Sequence, residues 1–201
     1  FFAPLADLSQ VYNTYQSAGA ALDRIYEYMS IKPTIPEVEK PQLPEQVGGH
    51  IEFKGVSFGY EKDKIINDFN LEIKAGEVIA LVGPTGAGKT TIVNLLTRLY
   101  DIDKGEILID GVDLKQMPNE YLRKTISVVP QNIFLFDTSI KENIRYGKPT
   151  AKENEIIEVA KQIHAHNFIK DLPEGYNTRV GEGGVKLSGG QKQLISFARA
   201  M

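Results

Sequence analysis

Eight consecutive residues, Gly83-Pro84-Thr85-Gly86-Ala87-Gly88-Lys89-Thr90, satisfy the spacing G-x-x-x-x-G-K-[ST]. Each residue type at that spacing suits one task, the holding of phosphate. Glycines admit positive φ angles, so successive backbone N–H groups converge on anionic oxygens. A helix predicted to start near Gly88 points its N-terminus, with its partial positive charge, at the same anion. Lys89 supplies a point charge for the outer phosphates. Thr90 offers a hydroxyl oxygen suited to Mg²⁺, which takes oxygen ligands and keeps several waters. The flanks agree. Val78-Ile79-Ala80-Leu81-Val82 is a short apolar run, predicted as a buried central strand. Ile92, Leu95, Leu96 and Leu99 then mark one apolar helical face.

A second cluster, Leu187-Ser188-Gly189-Gly190-Gln191, stands just before the last helical stretch. Ser188 is placed as an N-cap and Gln191 as residue N3, which predicts a capping box. Capping does not explain two consecutive glycines, which are poor helix formers. Exposed glycines at a helix start leave backbone N–H groups open to another anion. One chain thus offers two phosphate-seeking surfaces, separated by a long helical insertion.

The elements that position these surfaces follow from periodicity. Residues 1–30 read as one helix with a heptad-like seam of Leu5, Leu8, Tyr12, Tyr15, Gly19, Leu22, Tyr26 and Met29. The pattern alone fits either a helix packed on its own domain or one that continues a bundle. Residues 31–50, with Pro33, Pro36, Pro41, Pro44 and Gly48-Gly49, read as a linker. Strand periodicity begins at Ile51, with Phe53, Val56 and Phe58 alternating apart from a slip at Gly55 that predicts a bulge. Ile65–Ile73 reads as a further strand or two, Glu106–Asp110 as a strand, Asp110-Gly111 as a turn, and Ile126–Val129 as a strand ended by Pro130. A short helix is predicted near Asn119–Lys124. After Gln131 the pattern is largely helical. Thr138 or Ser139 is placed to cap one helix. Ile156, Ile157, Ala160 and Ile163 mark another, and Phe168, Ile169 and Leu172 a short third. Pro173–Leu187 is a glycine-rich loop. The last helix shows Leu194, Ile195, Ala198 and Met201 on one face. The layout is an α/β core with a helical insertion.

Composition narrows the chemistry. The 201 residues carry a formal net charge of −3, which argues against nucleic acid as the main partner. With no cysteine, disulfides, thiolate metal sites and cysteine nucleophiles are excluded. His164 and His166 are two apart and do not share a helix face, so they carry no metal signature. No apolar run approaches the roughly 20 residues of a membrane-spanning helix. The sequence starts at Phe1-Phe2 and stops at Met201 within a helical pattern, so a longer parent is expected.

The pair GPTGAGKT and LSGGQ, in that order, resembles the nucleotide-binding domain of an ABC transporter, and LSGGQ is that family's signature. The resemblance implies a P-loop NTPase core with an antiparallel β subdomain and a helical subdomain of about residues 132–201. It places ATP against Gly83–Thr90 and Thr91, with Mg²⁺ on Thr90 and Gln131. Val56-Ser57-Phe58-Gly59-Tyr60 is similar to the segment whose aromatic residue stacks on adenine, which points to Tyr60. Gln131 matches the glutamine that contacts Mg²⁺ and the attacking water. Lys89, Gln131 and Ser188 take the catalytic roles. Leu187–Gln191 completes the site of a second nucleotide-binding domain, in a homo- or heterodimer. Thr178–Gly184, with Glu182, resembles the exporter loop that touches the membrane domains. Phe2-Ala3-Pro4-Leu5, Leu8-Ser9 and Ala20–Ile25 are similar to the cytoplasmic end of the last transmembrane helix in fused exporters. The seam in residues 1–30 is then an extension of that helix, and residues 51–201 are the nucleotide-binding domain on the cytoplasmic face of a membrane. The family's metal-binding Asp, catalytic Glu and switch His are expected after position 201, and none of His50, His164 and His166 stands in the place of that His. A soluble ABC-type ATPase subunit and a half-site that binds ATP without hydrolysis are the competing readings.

Overall fold

The computed structural model describes residues 3–60, 63–184 and 186–201, with the side chains of Ala3, Leu5, Ala6 and Glu182 outside that description. The chain divides into two compact units, Phe1–Pro118 and Asn119–Met201.

In the first unit, α1 (Ala3–Ser30) is a single helix. Of its predicted seam, Leu8, Tyr12, Tyr15, Leu22, Tyr26 and Met29 are all exposed, so the helix does not pack on its own unit through them. No helix among the described residues is long and apolar enough to cross a membrane. Residues 31–50 form neither helix nor strand, as their prolines dictate.

The alternation from Ile51 becomes β1 (Ile51–Tyr60). It runs antiparallel between β2 (Asp63–Ile73) and β3 (Lys104–Ile109), and β4 (Val112–Asp113) completes the order β2-β1-β3-β4. The slip at Gly55 is a bulge, seen as register shifts between Phe53 and Val56 against β2 and between Lys54 and Ser57 against β3. Gly55 takes φ 58°, and its N–H donates to Asn70 Oδ1 at 2.8 Å. The extra residue re-phases the strand, so Phe53 and Val56 both reach the core although an odd number of residues apart, at 2% and 0% exposure. Asp110 and Gly111 link β3 to β4 with φ 50° and 81°, the two positive angles that a type I′ hairpin turn requires.

Asp110 also anchors the linker. Its carboxylate accepts the N–H groups of Gly48 (3.0 Å), Gly49 (3.1 Å) and His50 (2.9 Å). Burial pushes this carboxyl up, but the three donors and the neighbouring His50 outweigh it and hold it below the ordinary carboxylate range. A carboxyl depressed by folding contributes stability above its unfolded value of about 3.9, and that stability is lost as pH falls through the lower folded value. The amide shifts of Gly48 and Gly49 in NMR spectra are therefore expected to titrate together with a midpoint below about 3.9. Asp110→Asn is expected to abolish that titration; a midpoint at or above the ordinary value would contradict the anchor.

Two predicted strands are not formed. Val78–Val82 pairs with no strand among the described residues, and Val78 and Val82 are 96% and 92% exposed. Ile126–Val129 is likewise unpaired, with Val128 exposed. A strand is defined by its hydrogen-bonding neighbours, and apolar composition alone cannot provide them. The helix after the glycine loop, α2 (Lys89–Leu96), is also shorter than its apolar face suggested: Arg98 takes φ 50° and Leu99 is exposed.

The second unit is helical: α3 (Asn119–Thr125), α4 (Ile140–Arg145), α5 (Glu153–Gln162), α6 (His166–Lys170) and α7 (Gly189–Ala200). Ser139 caps α4, its Oγ accepting from Glu142 N–H at 3.2 Å. Ile140 and Ile144 of α4, Ile156 and Ala160 of α5, Ile169 of α6, and Ile195 and Ala198 of α7 share one buried cluster. Met201, the last residue, is exposed. The glycine-rich loop is tied down beside the start of α4. Ile140 N–H donates to Thr178 O at 3.0 Å, Val180 N–H donates to Thr138 O at 3.1 Å, and Arg179 pairs with Asp137 at 3.1 Å.

Candidate nucleotide-binding site and family

The loop predicted to hold phosphate is formed and open. Gly83, Pro84, Thr85, Gly86 and Ala87 are exposed. Gly86 and Gly88 take φ 87° and 85°, where a side chain would be strained. Ala87 N–H donates to Pro84 O at 3.2 Å and closes the turn. Gly88 is the N-cap of α2 with no side-chain cap, and the first intrahelical bond runs from Ile92 N–H to Gly88 O at 3.0 Å. The N–H groups of Lys89, Thr90 and Thr91 therefore have no carbonyl one turn back and face the loop end of the helix. A Cβ on Gly88 would stand 3.3 Å from Ile65 Cγ2, so the loop also leans on β2 and needs glycine for space.

Lys89 curls back over the loop, its Nζ donating to Gly83 O at 2.8 Å and Pro84 O at 2.7 Å. The ammonium is thereby held above the turn that the glycine N–H groups line. Thr90 is exposed on the first turn of α2, whereas Thr91 is buried. An exposed hydroxyl beside a phosphate cradle fits the oxygen donors that Mg²⁺ prefers.

Tyr60 ends β1 half-buried, edge-to-face with Phe58 and Tyr100, each with ring centroids 5.0 Å away. Asn94 Nδ2, on α2, donates to Tyr60 Oη at 3.4 Å. The helix that carries the phosphate loop thus also steadies Tyr60. Sequence reading missed Asn94, since nothing local to a polar residue on a helix predicts a partner 34 residues away. Tyr60 and Gly83–Thr91 belong to the first unit, and Gln131 and Leu187–Gln191 to the second. Gln131 is exposed.

At the second surface the capping box is present in both directions. Ser188 Oγ accepts from Gln191 N–H at 3.3 Å, and Ser188 N–H donates to Gln191 Oε1 at 2.9 Å. Leu187 is buried and anchors the turn. Gly189 and Gly190 are exposed, and a Cβ on either would meet nothing within 4 Å among the described residues. Both positions therefore have room for a side chain. The Ser188 hydroxyl accepts the capping bond and still has its O–H to donate. The side chain of Glu182 lies outside the described residues, so its predicted contact role has no structural account.

Residues 66–201 match the family described as ABC transporter. The chain belongs to that family. Over 200 residues it is 46% identical to the putative multidrug export ATP-binding/permease protein YgaD of Bacillus subtilis, covering 98% of this chain and 34% of that protein. It is 44% identical to the ATP-dependent lipid A-core flippase of Desulfotalea psychrophila, covering 100% of this chain and 35% of that protein. A solved structure of a bacterial Atm1-family ABC exporter with ATP bound superposes with a TM-score of 0.87 at 37% identity, over 99% of this chain and 35% of that chain. The chain thus spans about a third of the length of these ABC relatives. The superposition bears out the ABC nucleotide-binding fold, an antiparallel sheet with helices behind an N-terminal helix, despite the two unpaired strand segments.

Proposed function

We propose that this chain is the ATP-binding part of an ABC exporter, in which ATP binding and hydrolysis between two head-to-tail copies of the domain drive export across a membrane. The observation that carries this reading is the exposed Ser188-Gly189-Gly190 start of α7 in the same chain as a complete phosphate loop. A single-site nucleotide binder has no use for a second anion-facing helix start. The relatives support the exporter assignment, since they are named exporters and flippases and are about three times as long. On this reading residues 1–30 extend a transmembrane helix, 31–50 are the linker and 51–201 the nucleotide-binding domain, on the cytoplasmic face. The partners are a second nucleotide-binding domain and the transmembrane domain of the same polypeptide.

ATP, when bound, supplies the phosphoanhydride whose hydrolysis resets the cycle. The chain's own residues do the holding. Backbone N–H groups of Gly86–Thr91 surround the phosphates, and Lys89 trades its two loop carbonyls for phosphate oxygens. Thr90 and Gln131 would hold Mg²⁺, which neutralises the phosphate charge. Ser188 and the Gly189–Gly190 amides complete the site on the opposite copy, where closure excludes water.

Tyr60 stacks on adenine in this reading. Tyr60→Ala is expected to weaken ATP binding in the full-length protein by about 1–3 kcal/mol, roughly 5- to 150-fold, while Tyr60→Phe leaves it unchanged. Equilibrium titration with a fluorescent ATP analogue measures both, and equal losses in the two variants would move the adenine elsewhere.

The 201 residues by themselves are expected to bind ATP weakly at most and to release no phosphate above background, because the catalytic Glu implied by family resemblance falls after position 201. Steady-state phosphate release by the purified chain, abolished by Lys89→Ala, would overturn that assignment.

A further inference from the structure

Three segments of the second unit meet around one buried amide. Asn143, on α4, is 0% exposed. Its Oδ1 accepts Phe136 N–H at 2.9 Å, and its Nδ2 donates to Phe136 O at 3.0 Å and Ser139 O at 3.1 Å. The remaining lone pair of Oδ1 takes Arg199 Nη2 at 2.7 Å. Two donors and two lone pairs are thus all engaged, the full capacity of an amide.

Arg199, in the last turn of α7, uses two further donors at the same place. Its Nε donates to Asn143 O at 3.1 Å and its Nη1 to Phe134 O at 3.0 Å. The guanidinium also lies over the rings of Phe136 and Tyr146, at 5.4 and 5.6 Å from their centroids. The backbones close up as well: a Cβ on Gly147 would fall 1.8 Å from Arg199 O. Phe134 follows Gln131 by three residues, and Arg199 sits on the helix that Ser188 begins. Two segments that carry separate motifs are therefore clasped by a rigid, planar fork of donors.

We infer that Asn143 and Arg199 are positioning residues that fix the segment behind Gln131 on the signature helix, so that a displacement of Gln131 is carried to Ser188 as rigid movement. What displaces Gln131 rests on the function proposed above; the clasp itself does not. Neither residue touches nucleotide in this account. Loosening the clasp should slow turnover and leave ATP affinity alone.

The test uses the full-length protein and two variants. Arg199→Lys keeps the charge and loses the fork. Asn143→Asp keeps the size and loses both amide donors. Backbone hydrogen exchange is followed over residues 133–137, with α5 as the internal standard, and ATP kinetics are then measured. In both variants exchange over 133–137 is expected to rise at least about tenfold while α5 keeps its protection. The expected kcat falls at least about tenfold with KM for ATP within about twofold of wild type. Unchanged exchange over 133–137 overturns the clasp. Wild-type kcat in spite of faster exchange reduces it to a structural contact and overturns the positioning role, as does a rise in KM with kcat intact. If α5 loses protection in one variant, the other decides; loss in both makes the pair a fold stabiliser only and overturns the inference. Failure of the proposed function looks different. Wild type then neither binds nor turns over ATP, and the exchange data alone decide the clasp.

Discussion

Lys89→Ala in the full-length protein is expected to weaken ATP binding by about 10- to 100-fold and to remove turnover. A hydrogen bond to a charged group is worth about 1.5–3 kcal/mol, and each 1.4 kcal/mol is tenfold in affinity. The variant should fold. Lys89 is only half-buried, and its two partners, Gly83 O and Pro84 O, lie in an exposed loop where water replaces the ammonium. Thermal unfolding should therefore match wild type while titration with ATP shows the loss. Lys89→Arg is not expected to rescue, because a planar fork does not reproduce a compact ammonium above a tight turn. Wild-type affinity in Lys89→Ala would place the phosphates away from this loop.

Gly190→Asp separates stability from function by opposite signs. A Cβ at Gly190 meets nothing within 4 Å among the described residues, so the side chain has room. An acidic residue in the first turn of a helix favours its macrodipole by about 0.3–1 kcal/mol, and replacing glycine in a helix adds a similar gain. The isolated fold should be as stable as wild type or more so. At the shared site the same carboxylate faces a partner's phosphates. Two like charges at 4 Å repel by roughly 1–4 kcal/mol between water and a partly desolvated site. Turnover should fall by about 10- to 1,000-fold while binding to the variant's own phosphate loop persists. Chemical denaturation and steady-state phosphate release give the two readings. Turnover that follows stability upward would show that Gly190 faces no anion.

What was legible in the sequence was local. The phosphate loop is written in eight consecutive residues because backbone torsions build it, and Gly86 and Gly88 take the positive φ their identity permits. The capping box of Ser188 and Gln191 spans a single turn, as does the Asp110-Gly111 hairpin. The bulge at Gly55 was visible because an odd step in an alternating strand has few other causes. What escaped depends on a distant partner. Val78–Val82 has the composition of a central strand, but composition does not say what lies beside it. The seam of α1 announced an apolar stripe and not what meets it. Asn143 and Arg199 are 56 residues apart. A polar residue between Ile140 and Ile144 gave a faint sign of a satisfied buried amide and no sign of its partner.

Mixing two impaired variants of the full-length protein reveals whether the site is shared between chains. Lys89→Ala spoils a chain's own phosphate loop, and Gly190→Asp spoils what that chain offers to its partner. In a head-to-tail dimer of one of each, the intact loop of the second meets the intact Ser188-Gly189-Gly190 of the first. Phosphate release from the mixture is therefore expected to exceed that of either variant alone. A mixture that releases phosphate no faster than its components, with mixed dimers verified by differential tags, would contradict a site shared between chains.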